Sequence, residues 1–433
     1  MSDFLRPESC IGTEQLRSKI LPLRRRAEVR NAWLKDRLEG FLPKLMSREG
    51  FDMWIVICRE YNEDPVYLTL VPEPTLSARR RSILLFTLRK DHTLERLTLS
   101  RTGLADLYEG AWDPAKEDQH ACLGRLVKER DPQNIGINVS DTFAFGDGLT
   151  HNEYSLLSEA LGPDLIARTR GAERVAVGWL EHRTQAEIDA YPGIVEIAHA
   201  IVSEAFSNRV IHPSITTTDD VVWWMRQRVL DLGMDSWFQP SVSIQAHGIT
   251  TPSMGSGTTP SRKTILPGDL LHCDFGIHYL GLTTDTQQHA YVLRQGESDA
   301  PTGLKTALSK ASRLQDIVVS EMAEGRTGNQ VLLASLEKAK DEGINPSVYC
   351  HPIGYHGHGA GPLIGLWDVQ TGVPGRGDYE IFNDVAHSIE LNIKDNIPEW
   401  GGQEVRIALE QDIIFTGGHA NWLGGRQKSF FII

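Results

Sequence analysis

Apolar positions recur every three to four residues between 13 and 46, where Leu16, Ile20, Leu23, Trp33, Leu34, Leu38 and Leu42 alternate with charge. That period predicts a helix with one buried face. The Arg24-Arg25-Arg26 run inside it reads as a solvated face pairing with acid rather than a binding patch. Strand-like runs follow at 53–58 and 83–88, then a helical segment near 118–129 and a short strand at 134–139. Strands alternating with helices predict a compact α/β domain over residues 1–175, with the stretch 173–184 as junction. Beyond it, the pattern predicts helices over 184–206 and 218–232, the second with Thr and Asp at its start in cap positions. Two β segments at 270–278 and 284–293 come next, then a helical stretch over 302–342 that Gly325 interrupts. A Gly/His-rich passage at 350–366 and strands at 386–393 and 404–416 close a second domain, 180–433. No low-complexity tract or short-period repeat is visible.

Composition narrows the class. A chain of 433 residues, 40% hydrophobic and 23% charged, is a poor match to disorder, collagen or a disulfide scaffold. The net charge of −13 argues against binding nucleic acid or an anionic membrane, which needs surplus Lys and Arg. The acid is unevenly placed: 26 basic face 27 acidic residues up to position 180, and 18 face 30 after it. Such a surplus suits either a solvated surface or a site that gathers carboxylates around cations. Five scattered cysteines (Cys10, Cys58, Cys122, Cys273, Cys350) show no CxxC spacing, which predicts neither a disulfide framework nor a thiolate metal site. With no apolar run long enough to span a bilayer and no basic-then-apolar leader, a soluble cytoplasmic protein is expected.

Two acidic hairpins stand out. A turn centred on Tyr279/Leu280 would set Asp274 directly opposite Asp285, and one centred on Trp400 would set Glu390 opposite Glu410. Like charges directly across a strand pair are destabilising. A cation between them reverses that sign. Arg406 and Ala408 share a strand face with Glu410, because side chains repeat every two residues. Oxygen-rich ligation suits Mn²⁺, Mg²⁺ or Ca²⁺, and an added imidazole shifts preference toward Mn²⁺, Co²⁺, Fe²⁺ or Zn²⁺. An imidazole is available between the hairpins, where His351, His356 and His358 fall within eight residues of a glycine-rich segment.

These residues resemble the metal-binding frame of the M24 family, which includes aminopeptidase P, prolidase and the non-peptidase creatinase. Its ligand order is Asp, Asp, His, Glu, Glu, and its first two ligands stand eleven apart, as Asp274 and Asp285 do. Gly268-Asp269-Leu270-Leu271-His272-Cys273-Asp274-Phe275-Gly276 is similar to the family's "GDLVxxDFG". Ser388-Ile389-Glu390 resembles "TIEPG", and Glu410-Gln411-Asp412-Ile413-Ile414-Phe415-Thr416 resembles "EDxVLVT". The resemblance implies an α/β (α+β) architecture, a pita-bread catalytic domain preceded by a creatinase-type N-terminal domain. It implies two divalent ions, Mn foremost with Co, Fe or Zn as alternatives. Asp274 would chelate one ion, Asp285 and Glu410 would bridge both, and Glu390 would bind metal and act as general base. His358, which begins a His-Gly-Ala-Gly similar to "HGIG", is the expected imidazole ligand. Anchoring on Ile364-Gly365-Leu366, similar to "LGL", instead puts Pro362 at that position and leaves His356 as the alternative.

Two peptidase histidines are missing. Where one is expected the chain reads Thr251-Pro252-Ser253-Met254-Gly255, and where the family has "VHD" it reads Trp367-Asp368-Val369-Gln370. Three readings follow. The leading one is a dinuclear hydrolase of aminopeptidase P or prolidase type, cleaving the N-terminal bond of short Xaa-Pro peptides through a metal-bridging hydroxide. In it, His351 or His356 replaces a missing histidine. The second is a creatinase-like C–N hydrolase or a lyase acting on a small non-peptide substrate, with Asp368 as candidate acid/base. The third is a catalytically silent binding module, disfavoured because all four carboxylates are present. The resemblance also implies a homodimer or higher homo-oligomer.

Overall fold

The computed structural model describes residues 4–5, 17–101, 103–249 and 263–433, which form two compact units. The mixed α/β architecture expected from the hydrophobic pattern is present in both.

One unit comprises residues 22–184. Its helical opening differs from the single helix expected over 13–46. Positions 13–16 lie outside the described residues, and the helix proper starts at Leu23, just after Pro22. Proline has no N–H to continue a preceding helix and biases the residue before it toward extended backbone. Leu23–Asp36 runs through a wide turn at Arg37–Phe41 into Leu42–Glu49, which ends on Gly50 at φ 72°. The six-stranded sheet runs Glu109–Gly110, Leu94–Thr98, Arg81–Leu88, Met53–Arg59, Ile135–Ile137, Thr169–Gly171. Helix Gln119–Arg130, capped by the Asp118 carboxylate, and helix His151–Ile166 bury Leu123, Leu126, Leu157 and Leu161 with Met53, Ile55 and Ile57 of the sheet. The second of these helices is obscured in the sequence by Gly162 and Pro163, where the backbone leaves helical geometry at φ 69°. The stretch read as junction holds helix Glu173–Glu181, buried throughout from Val175 to Glu181 and grouped with this unit.

The other unit holds residues 185–433 together with those before Pro22. Its nine-stranded sheet has the central order Pro346–Val348, Val385–Ile397, Gln403–Thr416, Thr286–Tyr291, Leu270–Phe275, Ser241–Gln245. Ser241–Gln245 escaped the sequence reading because it is short and polar. Helices Thr302–Glu321 and Gly328–Asp341 flank the expected break at Gly325, whose φ is 81°. Helix Thr218–Asp231 begins with a reciprocal capping box between Thr217 and Asp220.

Strand parity places the chemistry. Ile389, Leu391, Ile393, Ile407 and Leu409 bury against Leu304, Leu308, Leu314 and Ile317 of helix Thr302–Glu321. The alternate residues, Ser388, Glu390, Glu410 and Asp412 among them, must therefore face the opposite side of the sheet. Among the described residues no helix is long and apolar enough to cross a membrane.

Candidate metal centre

The two long strands pair with Glu390 directly across from Glu410, in the register expected from sequence. The other hairpin differs. Its tight turn is centred on Leu280 and Gly281, at φ 56° and 81°, the positive-φ pair of a two-residue hairpin turn. This shifts the register by two, so Asp274 lies opposite Gln287 and Asp285 is its diagonal neighbour on the same face. Diagonal neighbours remain within reach, and the two aspartates still converge.

The convergence takes in four carboxylates and two imidazoles. Ligand atoms of Asp274, Asp285 and Glu410 lie within 4.8 Å of one another, as do those of His351, Glu390 and Glu410, and those of Asp285, His351 and His358. Strand His351–Ile353 pairs with Val385–Ile397 and sets His351 opposite Ser388. Its Nε2 is 3.3 Å from Glu410 Oε1 and 3.9 Å from both Asp285 Oδ2 and Glu390 Oε2. Its Nδ1 lies 3.0 Å from the Pro352 carbonyl, which can only accept. Nδ1 therefore carries the proton, leaving the Nε2 lone pair directed at the acids.

The acids are hard to accommodate alone. Burial first, and the Glu410 charge next, hold the carboxyls of Asp274, Asp285 and Glu390 well above their ordinary range. Asp274 Oδ1 and Asp285 Oδ1 are buried without a hydrogen-bond partner. Orphaned oxygens among mutually repelling carboxylates beside an imidazole fit a divalent cation centre. Around them, the Asp285 N–H donates to Asp412 Oδ2 at 3.1 Å, and Ser388 Oγ donates to Glu410 Oε1 at 2.7 Å. Gln287 donates from Nε2 to Glu410 Oε2 at 2.9 Å and to Glu390 Oε1. None of Gln287, Ser388 and Asp412 was singled out in the sequence, yet each stands two positions from a candidate ligand on the same strand face.

The other sequence candidates fall as follows. His358 is exposed as a whole residue, but its ring packs edge-on against His351 at 4.8 Å and Trp237 at 5.3 Å, and the loss of solvent around that ring, followed by the nearby His351, pushes its pKa down to about 4. His356 is half-buried and belongs to none of the three ligand groups. Arg406 donates to Tyr349 Oη at 3.1 Å, and its charge draws down Asp274 and Glu390 against the dominant effect of burial. Asp368 sits in an exposed turn between Leu366 and Val369 and is not brought to the acids. Gln370 beside it holds backbone, donating to the Val348 and Leu366 carbonyls. The Thr251–Gly255 stretch lies outside the described residues. Cys58, Cys122, Cys273 and Cys350 are free and buried, and among the described residues no cysteine joins a metal-ligand group; Cys10 lies outside the described residues.

Comparison with known proteins converges on one family. The model of metallopeptidase family M24 matches residues 193–416. No curated protein matches the sequence. Among solved structures, the X-Pro aminopeptidase of Thermotoga maritima superposes with a TM-score of 0.63 at 16% identity, covering 89% of this chain and 99% of its own. Dipeptidase PepE from Mycobacterium ulcerans gives 0.61 at 18% identity over 94% and 98% of the two chains. The Xaa-Pro dipeptidase of Bacillus anthracis gives 0.60 at 19% over 94% and 100%. At these identities the likeness is one of fold, and it bears out the pita-bread architecture.

Proposed function

The chain is a hydrolase of metallopeptidase family M24, and we propose that it cleaves the N-terminal bond of short Xaa-Pro peptides at a dinuclear metal centre. The observation that carries this reading is the Nε2 of His351, with its lone pair freed by the Pro352 carbonyl, facing Asp285, Glu390 and Glu410. In the proposal Asp274, Asp285, Glu390 and Glu410 hold the ions, and His351 takes the imidazole role expected of His358.

When bound, the metal supplies a Lewis acid and lowers the pKa of a bound water. The chain supplies the proton handling and the positioning. Glu390, its carboxyl biased toward the protonated form by burial and by Glu410, is suited to take a proton from water and return it to the leaving amine. His358, largely neutral at pH 7 and standing at the edge, can accept a hydrogen bond from a substrate N–H or donate one to its carbonyl. Arg406 steadies the acids electrostatically and orients the Tyr349 hydroxyl. Asp285 is held by Asp412, and Glu410 by Ser388, so two of the candidate ligands are oriented from behind.

Hydrolysis of Xaa-Pro dipeptides and Xaa-Pro-Yaa tripeptides with added Mn²⁺ tests the reading. Cleavage of tripeptides marks the aminopeptidase P type, and cleavage of dipeptides alone marks the prolidase type. Protein that holds divalent metal but turns over neither set overturns the peptidase assignment. A second reading keeps the metals and exchanges the substrate for a small C–N compound. It is favoured by the lack of a histidine in the Trp367–Gln370 turn, whose Asp368 is exposed and stands apart from the acids. A cytoplasmic setting and a homodimer complete the proposal, the latter checked by sedimentation.

A further inference from the structure

The row of polar side chains across the nine-stranded sheet runs one residue beyond the candidate ligands. Asp274 lies opposite Gln287, Gln287 opposite Glu410, and Glu410 opposite Glu390. On the next strand Val348 pairs with Leu391 and joins the core with it, and the Tyr349 N–H donates to the Glu390 carbonyl at 3.1 Å. Alternation therefore turns Tyr349 to the same face as Glu390, at the end of the row. Side chains opposed in this way start roughly 5 Å apart, so the phenol ring stands alongside Glu390.

The Tyr349 hydroxyl is held in one orientation. The residue is 6% exposed, and its Oη accepts from Asn392 Nδ2 at 3.0 Å and from Arg406 Nη2 at 3.1 Å. Both lone pairs are then taken up by donors, and the hydroxyl has its own proton left to offer. Among the described residues no acceptor takes that proton. The Nε–H of the same Arg406 guanidinium is buried and also lacks a partner. Buried donors normally find an acceptor, and leaving one unmet is costly. Two unmet donors beside the candidate general base point to an acceptor that arrives with the substrate.

Resting on the peptidase reading above, we propose that Tyr349 is a further catalytic residue, whose O–H donates to the oxygen of the carbonyl under attack and stabilises the negative charge that develops there. Arg406 and Asn392 are positioning residues: they fill the lone pairs of Oη and so aim its proton at the substrate. Donation by a guanidinium also polarises the O–H and strengthens it as a donor. Tyr349 keeps its proton throughout, and proton transfer stays with Glu390.

Tyr349→Phe, which keeps the ring and removes the donor, tests this in the Mn²⁺-loaded full chain. On an Xaa-Pro peptide that wild type cleaves, kcat and kcat/KM should fall together by about 10²- to 10³-fold, with KM within about threefold, the pattern of an interaction made only in the transition state. Binding gives a readout apart from turnover. A phosphinic analogue of the same peptide, tetrahedral at the attacked position, should bind the variant about 100-fold more weakly than wild type, while calorimetry shows the same Mn²⁺ affinity in both. Because phenylalanine leaves Arg406 and Asn392 without their acceptor, 3-fluorotyrosine at position 349 is the second variant. It keeps both accepted bonds, sharpens the donor, and should tighten the analogue instead of weakening it. Turnover by Tyr349→Phe within about threefold of wild type, or an analogue that the fluorotyrosine protein binds more weakly, overturns the proposal and leaves the peptidase reading standing. Metal-loaded wild type that neither cleaves the peptides nor binds the analogue overturns the peptidase reading and this proposal with it.

Discussion

At the scale of single residues, the centre is organised by what stands behind the candidate ligands as much as by the ligands themselves. The His351 tautomer is set by one backbone carbonyl, and the Asp285 main chain is tied to a buried acid whose own carboxyl is pushed well up by burial. Loss of an outer partner of this kind costs about 10- to 100-fold in metal affinity. Asp412→Ala should therefore weaken Mn²⁺ binding by about that range without removing a ligand, read by calorimetry. His351→Gln removes the imidazole and should cost at least about 100-fold, beyond the usual outer-partner range, whereas His356→Gln should leave the affinity in place. An equal loss from the His351 and His356 variants would mean that the imidazole comes from elsewhere in the glycine-rich segment.

At the scale of elements, the two hairpins show what a sequence can and cannot disclose. Glu390 and Glu410 sit on long strands with strict alternation, and a breaker cluster around Trp400 marks the reversal, so their pairing is legible from spacing alone. Asp274 and Asp285 flank short, broken strands, where the register depends on which two residues take positive φ. Leu280 is a poor residue for that conformation, so a reversal expected on Tyr279/Leu280 falls one position later, on Leu280/Gly281, and sets Asp274 opposite Gln287. The place of His351 beside the acids is not legible in the sequence for a related reason: a three-residue strand inside a Gly/His-rich passage carries no periodic signal, and its pairing with Ser388 sets it next to the acids. Helix His151–Ile166 was hidden by Gly162-Pro163, and the Trp237 wall beside His358 by its place in a loop. Because the Leu280-Gly281 turn sets the register of both aspartates, Gly281→Ala should be felt twice. The φ of 81° would cost an alanine about 1–2 kcal/mol, seen as a lower urea midpoint. Mn²⁺ affinity should fall in the same variant, and a stability loss with unchanged affinity would mean that the aspartates are positioned independently of the turn.

At the scale of the whole molecule, acid should weaken the fold through histidines that are buried neutral, apart from any effect on the metal centre. His199, on helix Gln185–Ala205, is the cleanest case. It is 2% exposed, its Nδ1 donates to the Gly424 carbonyl at 3.2 Å, and its Nε2 is buried with no partner. Protonation would add an N–H with nothing to accept it, and burial accordingly pushes the pKa down to about 4. The folded value lies below the unfolded one, near 6.5, so between these limits the unfolded chain binds more protons. The stability contributed by neutral His199 is then complete above about pH 6.5 and is lost as pH falls toward 4. A shift of this size amounts to roughly 3 kcal/mol. His289 and His387, pushed down by burial to about 4 and about 3, act in the same direction. Urea unfolding of wild type and His199→Gln at pH 7, 5.5 and 4 isolates the one residue, because glutamine keeps a donor for Gly424 and does not titrate. Wild type should lose about 3 kcal/mol more than the variant across that range, with the difference concentrated below pH 6.5. Parallel curves would show that the folded protein accommodates a charged His199, and would place its acid sensitivity in the carboxylate cluster instead.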